Sequence, residues 1–177
     1  MLTFWFTGLS GSGKTTLARA LRDKIHSLGK YKVVLLDGDE LRKIVCCDLG
    51  FTKRDRDENI KRASGIARIL NDQGCVVISA FITPTNRTRR AISVIVGEER
   101  VRLIHVKCSL EECVRRDDKG LYKCNVPMLT GVSQYFDAPT LCDLVVDTEK
   151  YEVEESANYL FQYVKEQLSG VRKYGDT

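Results

Sequence analysis

The segment Gly8-Leu9-Ser10-Gly11-Ser12-Gly13-Lys14-Thr15 places glycines, a lysine and a hydroxyl at the spacing G-x-x-x-x-G-K-[ST]. Those residue types suit chemistry on a phosphate. Glycines let successive backbone N–H groups turn inward around phosphate oxygens, and a helix starting at the end of the loop adds its positive N-terminus. Lys14 is then placed for the β- and γ-phosphates of ATP, and the Thr15 hydroxyl for Mg²⁺. Asp37-Gly38-Asp39 is the next reactive group. Asp37 can complete the metal's oxygen shell while Asp39 accepts a proton from an attacking hydroxyl. The same residues also suit a helix N-cap with a turn carboxylate, and the spacing leaves both open.

Asp39 and Arg42 are three apart on the next helix and share a face, and Arg56 and Asn59 repeat that spacing. Each pair can aim polar groups into one cleft, although a solvated helix face has the same spacing. Arg115-Arg116-Asp117-Asp118-Lys119-Gly120 puts cations where a helix gives way to a loop. They can clamp a transferring phosphoryl group as that loop closes, or complement a helix C-terminus.

Such groups need elements that hold them. Strands are expected at 3–7, 32–36, 75–81, 101–107 and 143–147, the second and third as largely continuous apolar runs. Helices fall between them. Leu17, Leu21, Ile25 and Leu28 line one face of the first, which stops at Gly29. Ile60, Ala63, Ala67 and Leu70 do the same within 54–72, and Val153, Ala157, Leu160 and Val164 within about 153–168. The alternation implies an α/β fold in three layers, a mostly parallel five-stranded sheet with helices on both faces. The 177 residues fit one domain spanning 1–177, with no repeat or linker to divide it. Residues 117–139 break the alternation with two prolines and no clear period, which is the mark of a functional lid.

Composition narrows the function. Apolar residues make up 43% and charged residues 29%, ordinary for a globular protein. No stretch approaches the roughly 20 apolar residues of a membrane span, and residues 2–7 read as a strand rather than a signal peptide. A cytoplasmic protein is expected. A net charge of +4 is too small to indicate a nucleic-acid partner. The seven cysteines are odd in number, lack C-x-x-C spacing, and read as reduced thiols, with Cys46 and Cys47 on a helix. An Asn-Lys-x-Asp guanine motif is absent, which argues against a GTPase-like switch.

Taken in order, these motifs resemble the adenylyl-sulfate (APS) kinases, P-loop kinases that phosphorylate the ribose 3′-hydroxyl of adenosine 5′-phosphosulfate. The resemblance runs through Gly8–Thr16, Leu36-Asp37-Gly38-Asp39 with Arg42, and Asp48-Leu49-Gly50-Phe51. It continues in Asp55-Arg56, Glu58-Asn59-Ile60 and Arg62, then in Ala80-Phe81-Ile82-Thr83-Pro84. Arg116-Asp117, Lys119-Gly120-Leu121-Tyr122-Lys123, Thr130-Gly131 and Ala138-Pro139 complete it. The resemblance implies ATP with Mg²⁺, a small-molecule nucleotide acceptor and a homodimer. It implies Lys14, Asp39 and Lys119 as catalytic residues, with Lys119 coming over the phosphates as the lid closes. Gly8, Ser10, Gly11, Ser12, Gly13, Thr15, Thr16 and Arg116 would hold ATP, and Thr15 and Asp37 the metal. Arg42, Arg56 and Asn59 would hold the acceptor's phosphosulfate and ribose, Phe51 would stack on its base, and Ile82, Thr83 and Leu129 would line that pocket.

The departures gather at the acceptor. Thr83-Pro84-Thr85-Asn86 stands where the family usually has Ser-Pro-Tyr-Arg, and the lid is shorter after Lys123. Leu129 stands where a phenylalanine usually sandwiches adenine, a loss on the order of 1 kcal/mol of stacking. These features admit an alternative in which the same reaction serves a different nucleotide, such as a cytidine diphosphate-like compound.

Overall fold

The computed structural model describes residues 1–117, 119–124 and 128–170. Five strands, β1 (Thr3–Thr7), β2 (Lys32–Asp37), β3 (Cys75–Ala80), β4 (Val101–Lys107) and β5 (Leu144–Asp147), form one sheet in the order β2-β3-β1-β4-β5. Every neighbouring pair is parallel. The expected strands therefore lie where the apolar runs placed them. Parallel pairing requires a crossover after each strand, and helices supply it.

Helix α1 (Lys14–His26) follows β1, α2 (Gly38–Ile44) and α3 (Lys53–Asp72) follow β2, and α4 (Asn86–Val96) follows β3. Helix α5 (Leu110–Arg116) follows β4, and α6 (Val153–Ser169) follows β5. On one face, Phe4, Phe6, Ile78 and Ile104 pack under Leu17, Leu21 and Ile25 of α1 and Leu160 and Val164 of α6. On the other, Trp5 and Val77 pack under Ile60, Ala63 and Ala67 of α3 and Ile92 and Val96 of α4. Alternate residues of β1 thus enter opposite cores, which is why the strand is apolar throughout.

Cys46 and Cys47 lie in the turn after α2 rather than on a helix, because α2 ends at Ile44. Cys46 is fully buried there, while Cys47 is exposed. All seven cysteines are free. Helix α4 was not expected from the sequence. Its start is set by Thr85, whose side chain accepts from the Thr88 N–H. Within 117–139 the described residues form turns and one isolated bridge between Thr130 and Gln134, with Asp118 and 125–127 outside the described residues. No helix of the described residues is long and apolar enough to cross a membrane.

Candidate active site

The parallel strands all deliver their carboxyl ends to one edge, so the loops after β1, β2, β3 and β5 meet there. The loop after β1 needs its glycines. A Cβ on Gly8 would lie 2.4 Å from the Val106 carbonyl oxygen, and Gly11 and Gly13 sit at φ 78 and φ 92. Gly13 is the N-cap of α1 and supplies no side-chain cap, leaving the first-turn N–H groups directed at the loop's hollow. Backbone this tight around an open helix N-terminus fits the phosphates of ATP.

Lys14 is only 8% exposed, with Nζ donating to the Leu9 carbonyl at 2.5 Å and lying 3.5 Å from Ser12 Oγ. Burial pushes its pKa down from 10.5 to about 8. A cation held in so dry a place is poised to gain from an arriving phosphate. Thr15 Oγ1 donates to Asp37 Oδ2 at 2.8 Å, and Asp37 Oδ1 accepts from the Asp39 N–H at 2.9 Å. Asp37 is therefore both the N-cap of α2 and the partner of the loop hydroxyl. Of the two alternatives left open by spacing, the N-cap is realised. A hydroxyl beside a carboxylate is a hard oxygen set that fits Mg²⁺.

A cleft of about 1140 Å³ runs from this loop to α3. Asp39 projects into it and pairs with Lys119 from the far side. Both side chains are more than half exposed, so the pair is open to solvent and to exchange of partners. Beyond Asp39, Arg42 and Arg56 flank the Phe51 ring, with their guanidinium carbons 4.6 and 5.6 Å from its centroid. Arg42 Nη1 donates to the Gly50 carbonyl at 2.8 Å, and Arg56 Nε to the Phe51 carbonyl at 3.0 Å. Partial burial lowers the pKa of both guanidinium groups, and Arg42 lowers that of Arg56 further. The start of α3 that carries Arg56 is fixed by a capping box between Thr52 and Asp55. One turn on, Asn59 is buried at 4% exposure, lines the cleft, and its Oδ1 has no partner among the described residues.

Opposite α3, Ile82 and Thr83 form the cleft wall. On the phosphate side, Arg116 donates to Glu112 at 2.7 Å and to the Thr148 carbonyl at 2.7 Å. Ser10, Gly11, Gly13, Thr15 and Thr16 border the same space. Gly8, Ser12 and Leu129 do not border it; Ser12 and Leu129 are buried, and Gly8 lies at the end of β1. Four further residues, to which the sequence reading gives no role, hold the site. Glu112, pushed down to about 2 by Arg115 and then Arg116, orients both arginines. Thr148 Oγ1 donates to the Ser12 carbonyl at 2.9 Å. Tyr122 donates to the Ser10 carbonyl at 2.9 Å, while Asp117 gathers the N–H groups of Leu121, Tyr122 and Lys123. Thr148 follows a strand's carboxyl end directly, a signal that could have found it.

The family model for adenylylsulphate kinase matches residues 1–147. The chain belongs to the adenylylsulphate kinase family. Its relatives include the adenylyl-sulfate kinase of Bacillus licheniformis, 42% identical over 92% of this chain and 84% of that one. That of Shewanella halifaxensis is 40% identical over 92% of this chain and 81% of its own. Among solved structures, the Mycobacterium tuberculosis APS kinase CysC in complex with AMPPNP and APS superposes with a TM-score of 0.86. It is 33% identical and covers 95% of this chain and 97% of that one.

Proposed function

We propose that this adenylylsulphate kinase transfers the γ-phosphoryl group of ATP to the ribose 3′-hydroxyl of adenosine 5′-phosphosulfate, a step of sulfate assimilation. One observation carries the reading: Asp39 lines one cleft together with the phosphate loop and with Arg42, Phe51, Arg56 and Asn59. The loop from Gly8 to Thr16 holds the donor's phosphates, and Arg116 borders its nucleotide. Thr15 and Asp37 would hold Mg²⁺, which when bound neutralises charge on the β- and γ-oxygens.

The protein's own part in the reaction is positioning and charge. Phe51 offers one ring face to the acceptor base, and Ile82 and Thr83 border it. Arg42 and Arg56 supply cations for the phosphosulfate, and the unpartnered Asn59 oxygen supplies an acceptor for a ribose hydroxyl. Asp39 then takes the proton of the 3′-hydroxyl as the new P–O bond forms. Lys14 stabilises charge on the transferring group from the buried side. Lys119, paired with Asp39 in this structure, gains the phosphates as a second anionic partner and so frees the carboxylate. Residues 117–139 act as the lid that carries it. Leu129 supports the closed lid by apolar contact.

The free cysteines fit a reducing compartment, and we place the enzyme in the cytoplasm as one domain that forms a homodimer, a state that light scattering on a sizing column would check. The function itself is tested by incubating the protein with Mg-ATP and adenylyl sulfate and locating the new phosphate by ³¹P NMR. A 3′-phosphorylated product is expected, and consumption of ATP without it would remove the reading.

A further inference from the structure

Thr83 borders the cleft in a strained conformation. Its φ is 45, in the left-handed region, and the residue is β-branched and buried. Ile82-Thr83-Pro84 contains no glycine, so the conformation must be imposed by contacts from outside the loop. They come from β1, the central strand of the sheet. The Trp5 indole Nε1–H donates to Thr83 Oγ1 at 2.9 Å in a buried pair, and its ring stacks on Phe81 with centroids 5.1 Å apart. Two residues on, Thr7 Oγ1 lies 2.7 Å from the Ile82 carbonyl oxygen and 3.2 Å from that of Thr83. Gly8, the first residue of the phosphate loop, donates its N–H to the Ile82 carbonyl at 3.4 Å.

We propose that Trp5 is a positioning residue for the acceptor nucleotide. From within the core it holds Thr83 in the left-handed conformation, and so fixes the Ile82–Thr83 backbone that faces the base. Because Thr7 and Gly8 grip the same two peptide groups, the acceptor wall is registered against the phosphate loop through β1 itself. Trp5 does not itself line the cleft, so it acts through the residues it holds there, Thr83 by the hydrogen bond and Phe81 by the stack. The inference rests on the acceptor reading above.

Trp5→Phe keeps a ring against Phe81 and removes the donor. Its KM for adenylyl sulfate is expected to rise about tenfold, the scale of one buried hydrogen bond, with kcat and the KM for ATP within about twofold of wild type. Adding Thr83→Gly, which tolerates φ 45 without strain, should bring that KM back to within about threefold. Thr83→Val removes the acceptor oxygen while keeping the side chain's size, and should repeat the rise even if Trp5→Phe fails to fold. The proposal is overturned if both Trp5→Phe and Thr83→Val leave the acceptor KM unchanged, or if both KM values rise alike and Thr83→Gly restores neither. The single tryptophan gives a readout that needs no acceptor. Its indole N–H should exchange slowly in wild type and at least tenfold faster in Thr83→Val, and equal exchange would also overturn the proposal. A wild-type enzyme inert toward adenylyl sulfate would remove the proposed function, while indole exchange still decides the positioning.

Discussion

Replacing Lys14 by methionine should stabilise the ligand-free protein while abolishing its activity. The ammonium sits in a site 8% exposed, and burial lowers its pKa from 10.5 to about 8. That fall corresponds to a penalty of about 3 kcal/mol for keeping the charged form in the folded protein at neutral pH. The hydrogen bond to the Leu9 carbonyl, lost in the variant, offsets about 1–2 kcal/mol of it. A net gain of about 1–2 kcal/mol in a chain of this size raises Tm by about 5 °C. The pH dependence follows from the sign of the shift. The unfolded chain binds more protons than the folded one between pH 8 and 10.5, so wild-type stability rises with pH across that window. The advantage of Lys14→Met should therefore be full at pH 7, fall to about zero near pH 9.5 and reverse in sign above about pH 10. Circular-dichroism melts of both proteins at pH 7 and 9.5 without nucleotide would measure it. A variant less stable than wild type at pH 7, or a difference that does not change with pH, would refute the reasoning. Phosphoryl transfer should fall at least about 100-fold, as expected for loss of a group that stabilises transition-state charge.

Asp39→Asn should lower kcat by at least about 100-fold with little change in the KM for ATP, whereas Asp37→Asn should chiefly raise the Mg²⁺ concentration needed for half-maximal rate. Magnesium titrations of both variants separate the roles. Leu129 is buried off the cleft, so Leu129→Phe should leave the KM for adenylyl sulfate within about twofold in steady-state kinetics and instead cost about 1–3 kcal/mol by overpacking, read by thermal melt. Thr52→Ala removes the capping box at the start of α3 and should cost about 1 kcal/mol, or about 3 °C in Tm, by thermal melt.

The sheet was legible because each strand is doubly covered, and double cover writes a continuous apolar run that no surface strand would keep. Strand β3 illustrates it, with Val76, Val77 and Ile78 all fully buried. Helix α4 was hidden. Its first turn carries Arg87, Arg89 and Arg90, and its start depends on a threonine cap beside a proline rather than on apolar period. The phosphate loop was readable as a pattern because backbone geometry dictates its glycines. Arg42 and Arg56 were candidates from helix spacing and Phe51 from family resemblance, but their meeting depends on the turn between α2 and α3, where Arg42 donates to the carbonyl of Gly50. The dual role of Asp37 was partly visible, because a carboxylate after a strand can cap a helix and face a ligand at once. What spacing could not reveal was the support from distant chain, such as Thr148 on Ser12, Tyr122 on Ser10 and Trp5 on Thr83. Those contacts join residues more than 70 positions apart, and no local signal records them.

The most direct test of the central claim is an ADP-release assay of the wild-type enzyme with Mg-ATP and a panel of nucleotide acceptors at matched concentrations. The panel includes adenylyl sulfate, adenosine monophosphate and cytidine diphosphate derivatives. The account requires the highest kcat/KM with adenylyl sulfate, by at least about tenfold over every other acceptor. An enzyme inert toward adenylyl sulfate that turns over a cytidine nucleotide would contradict it.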